Sequence, residues 1–173
     1  NIPVESLEHA NAIGLRTGFG DEWLWIGSVK AFMDGALGPH TAAMFQPYEN
    51  EPENRGILNM DGEELFEHCR KAADVGLSMT VHAIGDRANH EVLNAYQQLR
   101  AYQKEKGLPH LRHRIEHVQV LHPDDASRLG QKHLHPQLFE DAQRSCVDGG
   151  HRVGGQDLLR RERVLQPSIG CLP

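Results

Sequence analysis

Three stretches of this chain each carry a short apolar run into a metal-ligand residue, with a turn following. They are Ile26-Gly27-Ser28-Val29-Lys30, Leu77-Ser78-Met79-Thr80-Val81-His82 and Arg114-Ile115-Glu116-His117. Ligands at the C-terminal ends of successive strands are how a (β/α) barrel assembles a site, because the loops at that rim converge on one point. A set of this kind points to metal-assisted hydrolysis, in which a bound cation lowers the pKa of water to near neutrality.

The elements that must hold these residues alternate between strand and helix patterns, the signature of a parallel sheet. Val4 to Ile13 reads as a short helix stopped by Gly14, and a strand is expected from about Trp25 to Phe32. On that strand Ser28, Lys30 and Phe32 share one face, while Val29 and Ala31 point the other way. The connection from Met33 to Met60 is rich in Gly, Pro and Asn, and a loop of that length in a compact domain is functional or disordered.

Asp61 and Glu64 have capping-box spacing ahead of a helix with the stripe Leu65, Phe66, Cys69, Ala72 and Ala73, stopped by Gly76. A strand from Ser78 to His82 follows, with Thr80 and His82 on one face. The next helix runs from Arg87 to about Lys106, with the stripe Ala88, Val92, Tyr96, Leu99 and Tyr102 and with Gly107 beyond its end. A third strand is expected from about Arg112 to Val120 with Ile115 and His117 on one face, and a short helix opens near Pro123.

Length and composition bound the possibilities. The 173 residues fall short of the roughly 250 of a complete (β/α)8 barrel. The chain opens at Asn1 inside what reads as a strand-to-helix connection, so a preceding part, with any signal peptide, is expected to be missing. Net charge is −6 with histidines neutral, and the basic residues are scattered, which argues against nucleic acid or an anionic membrane as partner. No apolar run approaches the length of a membrane span. Cys69, Cys146 and Cys171 are odd in number and widely spaced, so neither a disulfide framework nor a zinc knuckle is indicated, and a cytoplasmic location is compatible with them.

Val29-Lys30-Ala31-Phe32-Met33-Asp34-Gly35-Ala36-Leu37-Gly38, Val81-His82-Ala83-Ile84-Gly85-Asp86-Arg87-Ala88 and His113-Arg114-Ile115-Glu116-His117 resemble consecutive motifs of the amidohydrolase superfamily. More narrowly they resemble its amidohydrolase-3 branch, which includes N-substituted formamide deformylases. The resemblance runs from about Ala10 to Gln131. It implies an α/β fold that is part of a metal-dependent (β/α)8 TIM barrel, covering about strands four to six.

It also implies roles. Lys30 would be the carboxylated lysine of strand four, His82 the strand-five ligand and His117 the strand-six ligand. An ammonium cannot coordinate a cation, but a neutral lysine takes up carbon dioxide to give a carbamate whose two oxygens bridge metals. One or two divalent ions would be held, with zinc expected first although manganese, iron and nickel suit such ligands as well. The substrate would be a small amide-type molecule cleaved at a carbon-nitrogen bond. The His-x-His pair of strand one and the aspartate of strand eight have no counterpart here. Asp34 and Asp86 are carried as supporting residues bordering the substrate loop.

Each assignment has a plainer competitor. Lys30 read alone is an ammonium paired with a carboxylate such as Asp34, and His82 and His117 are hydrogen-bonded core histidines. Asp86 is placed to cap a helix starting at Arg87, Asp34 to Gly38 is a tight turn, and Glu63, Glu64 and Glu67 are the solvated face of a helix. His133-Leu134-His135 has the spacing of the missing pair but follows Lys30 in chain order and lacks a preceding strand.

From residue 132 to 173 no helical or strand period persists, and the segment is expected to be irregular, as after a reading-frame change. Residues 1–131 are then the partial barrel. A non-catalytic protein on part of the scaffold, or a non-functional fragment, are the other readings. With barrel neighbours absent, pairing with another copy through exposed sheet edges is expected.

Overall fold

Parallel strands cannot be joined by tight turns, so their connections must travel back along the sheet. The computed structural model describes residues 1–129. Its strands are β1 (Ile2–Pro3), β2 (Val29–Phe32), β3 (Met79–Ala83) and β4 (Arg114–His117), all parallel and paired in the order β1-β2-β3-β4. Helix α1 (Leu7–Ala12) follows β1 after a 3-10 turn, α2 (Gly62–Asp74) lies between β2 and β3, α3 (Asp86–Lys106) between β3 and β4, and α4 (Ala126–Leu129) after β4.

The two long helices form where their sequences specify them. Asp61 accepts from Glu64 N at 2.8 Å and opens α2, whose Leu65, Cys69, Ala72 and Ala73 are buried. On α3 the stripe Ala88, Val92, Tyr96 and Leu99 is buried, and Gly107 closes the helix in the left-handed conformation at φ 63°. Tyr102, at the edge of that stripe, donates its hydroxyl to Asp74 of α2 at 2.8 Å. Both stripes meet Val29, Ala31, Met79, Val81, Ala83 and Ile115, each at 0% exposure, in one core. Among the described residues, no helix is long and apolar enough to cross a membrane.

The structure corrects several expectations. β1 is a strand of two residues ahead of the first helix, too short to show any period. β2 begins at Val29 rather than Trp25 because Asp21 Oδ1 accepts from Trp23 N and Leu24 N, folding the preceding residues into a turn that leaves Trp23 89% and Trp25 61% exposed. β4 ends at His117, where φ turns positive. The segment 132–173 and the His133-Leu134-His135 motif lie outside the described residues.

Just before β4, His113 is 1% exposed and accepts from Met79 N at Nδ1, 3.1 Å away. Burial, with the Arg100 and His110 charges adding, holds its imidazole down at about 3 against an ordinary 6.5. Between those values the unfolded chain binds a proton here that the folded chain does not, so this group's contribution is full above the unfolded value and declines with acidification. Urea unfolding should therefore show stability falling from about pH 6.5 toward about pH 3, by up to roughly 1.4 kcal/mol per pH unit from this residue. His113→Asn should flatten that slope even where it lowers stability throughout.

Candidate active site

Register decides which side chains meet on the sheet face opposite α2 and α3. Lys30, Thr80 and Arg114 are in line across β2, β3 and β4, and Phe32, His82 and Glu116 form the next row. Partners in register share a face, so this side of the sheet is polar while the other is apolar. Ser28 and Thr80, both buried, join hydroxyls at 2.6 Å below it.

Lys30 Nζ reaches past the small Thr80 to pair with Glu116, which also accepts from Arg114 Nη2 at 2.9 Å. Burial alone would raise the Glu116 carboxyl, but the hydrogen bond and charge of Lys30, together with Arg114, bring it below the usual carboxylate range. The lysine thus has a carboxylate partner, as its plainer reading required, but the partner is Glu116 and not Asp34. Its ammonium also lies 5.0 Å from the Phe32 ring centroid.

Asp34 is engaged elsewhere. It is 2% exposed, and its carboxylate accepts from Ile84 N at 3.0 Å, Gly85 N at 2.8 Å and Ala43 N at 2.9 Å. Burial pushes its carboxyl up, and the three N–H groups and nearby His82 pull back without cancelling the rise. The connection between β2 and α2 is well organised around this anchor: Met44 N donates to Arg55 O at 2.8 Å, Asn59 N to Met33 O at 2.9 Å and Tyr48 Oη to Ala42 O at 2.9 Å.

The same loop starts α3. Gly85 is the N-cap and has no side chain to offer, so Ala43 O accepts from Arg87 N at 3.2 Å and Ala88 N at 3.4 Å. This overturns the reading of Asp86 as the cap of a helix starting at Arg87. Asp86 is the first helical residue, and its Oδ1 accepts from Phe45 N at 2.9 Å as well as Arg87 N at 2.8 Å.

His82 and His117 come together, by a route that alternation did not show. Strict pleating would carry His117 to the side of Ile115, which is buried against the helices. Instead φ is 80° at His117 and 46° at Val118, and the His117 ring stands edge-on to His82 with centroids 4.5 Å apart and planes at 68°. A positive φ is strained for any side chain and most for a β-branched one, and such strain gathers at functional sites. His82 Nε2 lies 2.8 Å from Gly35 O and 3.5 Å from Asp34 Oδ1.

Lys30, His82 and His117 thus lie on one face of the sheet, Asp34 approaches His82, and Asp86 accepts from Phe45 N of the loop. Sequence reading passed over Glu116, though it alternates with the buried Ile115 and so had to face Lys30. It also passed over Asn89, at 0% exposure, whose amide donates to Gly85 O at 2.9 Å and Val120 O at 3.0 Å and so joins the loops after β3 and β4. The carbonyls of Gly35 and Ala43 leave no trace in residue type.

Residues 2–144 match the model of the amidohydrolase family. The chain belongs to that family. It is 42% identical over 148 residues to "Protein LONG AFTER FAR-RED 3" of Arabidopsis thaliana, an alignment covering 86% of this chain and 25% of the relative. It is 44% identical over 72 residues to the "Putative amidohydrolase YtcJ" of Bacillus subtilis, covering 42% of this chain and 14% of the relative.

Among solved structures it resembles an uncharacterized metal-dependent hydrolase from Pyrococcus furiosus with a TM-score of 0.64 at 32% identity, covering 73% of this chain and 25% of that one. A metal-dependent hydrolase from Pyrococcus horikoshii gives a TM-score of 0.63 at 34% identity, covering 73% of this chain and 24% of that one. The chain therefore spans a quarter or less of the length of these relatives.

Whether the residues fit a metal can be judged from their surroundings. The two imidazoles at the ends of adjacent strands fit as ligands. Lys30 fits only once its amine has left Glu116, since a paired ammonium has no lone pair to offer. Among the described residues no group of three His, Cys, Asp or Glu side chains is arranged to hold an ion.

A Cβ on Gly85 would lie 2.0 Å from Ala43 O and 2.5 Å from Ala43 C, where backbone has to move. Gly85→Ala should destabilise the chain by about 1–3 kcal/mol, measured by urea unfolding. The same change at Gly38, where a Cβ would have nothing within 4 Å, should be close to neutral.

Proposed function

We propose that this chain is a portion of a metal-dependent hydrolase that cleaves carbon-nitrogen bonds of small amide-type substrates, as in the formamide deformylase-like branch. The observation that carries this reading is the meeting of His82 and His117 at the ends of adjacent parallel strands, beside Lys30 on the same sheet face. In this reading β2, β3 and β4 are strands four, five and six of a (β/α)8 barrel.

His82 and His117 would hold a divalent ion, zinc in the first instance, and Lys30 would join them as a carbamate. When bound, the ion would supply a hydroxide at neutral pH and polarise the substrate carbonyl. Glu116 keeps Lys30 fixed over the sheet until then. Carbamate formation would take from Glu116 the cation it now pairs with. Asp34 and Asp86 hold the β2–α2 loop over the site, where it would border the substrate. Among the described residues the outer edges of β1 and β4 have no strand partner, and further strands or a second copy would cover them.

A second reading has one observation in its favour. The chain is 32% identical over 120 residues to the "Exoenzymes regulatory protein AepA" of Pectobacterium carotovorum, and a partial donor set suits a scaffold that binds a ligand without turning it over.

Metal content separates the two readings. Plasma mass spectrometry on the purified chain should find stoichiometric divalent metal, absent from the Lys30→Ala, His82→Ala, His117→Ala triple variant. A folded wild-type chain with no metal would overturn Lys30, His82 and His117 as a metal site of this chain and favour the binding scaffold.

A further inference from the structure

One ring nitrogen of His82 faces two oxygens. Nε2 faces Gly35 O at 2.8 Å and Asp34 Oδ1 at 3.5 Å. Both are acceptors, so Nε2 carries the hydrogen and a neutral ring keeps its lone pair on Nδ1.

What keeps those acceptors in place can be traced. Gly35 N donates to Thr41 O at 3.3 Å and Ala36 N to Thr41 Oγ1 at 3.0 Å, and a Cβ on Gly35 would lie 2.1 Å from Thr41 Oγ1. Glycine is therefore required for the loop to close this tightly and aim its carbonyl at His82. Asp34, one residue earlier, ties that loop through Ala43 N and the β3–α3 turn through Ile84 N and Gly85 N. His82 sits at the end of β3, so the strand and the loop that orients its ring are fastened by one carboxylate.

We propose that Asp34 is a positioning residue for His82: by locking the β2–α2 loop to the turn after β3, it holds Gly35 O and its own Oδ1 against Nε2 and leaves Nδ1 as the nitrogen that binds a cation. This rests on the metal reading for its purpose, while the tautomer stands independently of it. A ligand histidine whose other N–H meets a carbonyl or carboxylate gains basicity and a set orientation. A purely structural Asp34 would govern stability and leave the tautomer alone.

The test uses the full chain labelled with 15N-histidine and free of metal, read by two-bond proton-nitrogen correlation, with His82 assigned through His82→Gln. The expected result is hydrogen on Nε2 of His82. In Asp34→Asn, or in Gly35→Ala, which displaces the carbonyl while leaving the carboxylate, His82 should become a mixture of tautomers. The dissociation constant for Zn(II), measured against a chromophoric chelator, should rise roughly tenfold to a hundredfold.

Hydrogen on Nδ1 in the wild-type chain would overturn the proposal without reference to any variant. So would an unchanged tautomer in a variant whose circular dichroism matches wild type. Hydrogen on Nε2 in a wild-type chain that binds no zinc would support the positioning role and sink the metal reading, so the two fail separately.

Discussion

A carboxylate taken out of water must find hydrogen-bond donors, and Asp34 finds them in two segments distant in sequence. It accepts from Ala43 N within its own loop and from Ile84 N and Gly85 N after β3. Removing it would leave three donors to be satisfied elsewhere, each at about 1–3 kcal/mol if they stayed buried and unpaired. Ala43, held this way, presents its carbonyl to the first turn of α3, and Gly35 presents its own to His82. Loop order, helix start and histidine orientation all trace to one buried charge.

The sheet divides its labour between faces. One packs Val29, Ala31, Met79, Val81, Ala83 and Ile115 against the helices, which is where stability resides. The other gathers Lys30, His82 and Glu116 through register alone, and its polarity is affordable because the ion pair and the loop carbonyl satisfy the groups it half-buries. His117 joins this face only because the backbone leaves the pleat at φ 80°. Strain of that kind, about 1–3 kcal/mol per residue, must be held by the surrounding structure. Val118 N and Val120 N donate to Ala83 O and Ile84 O just beyond the turn.

Electrostatics set the state of the site. The Lys30–Glu116 pair, with Arg114 beside it, places two positive charges and one negative charge on the polar face of the sheet. The Glu116 carboxyl, held low by Lys30 and Arg114, remains an anion throughout the neutral range and keeps the pair ionic.

Much of this was written in residue order. Periods of 3.6 marked α2 and α3 to within a residue or two, Asp61 and Gly107 marked a start and a stop, and alternation put Lys30 and His82 on one face of their strands. These are local properties, set by side chains within a turn or a pleat of one another. Legible motifs at Lys30, His82 and His117 also placed the chain in its family. Other features depended on contacts far apart in sequence: the Glu116 partner of Lys30, the carbonyl that replaces a side-chain cap at Gly85, and the two-residue β1. His117 was read as sharing a face with Ile115, because nothing in residue type announces a left-handed turn at histidine followed by valine. Residue order was enough to single out side chains capable of chemistry and the elements that carry them. Which atoms face one another followed from packing, because backbone carbonyls and torsions have no letter in the sequence and are set by what surrounds them.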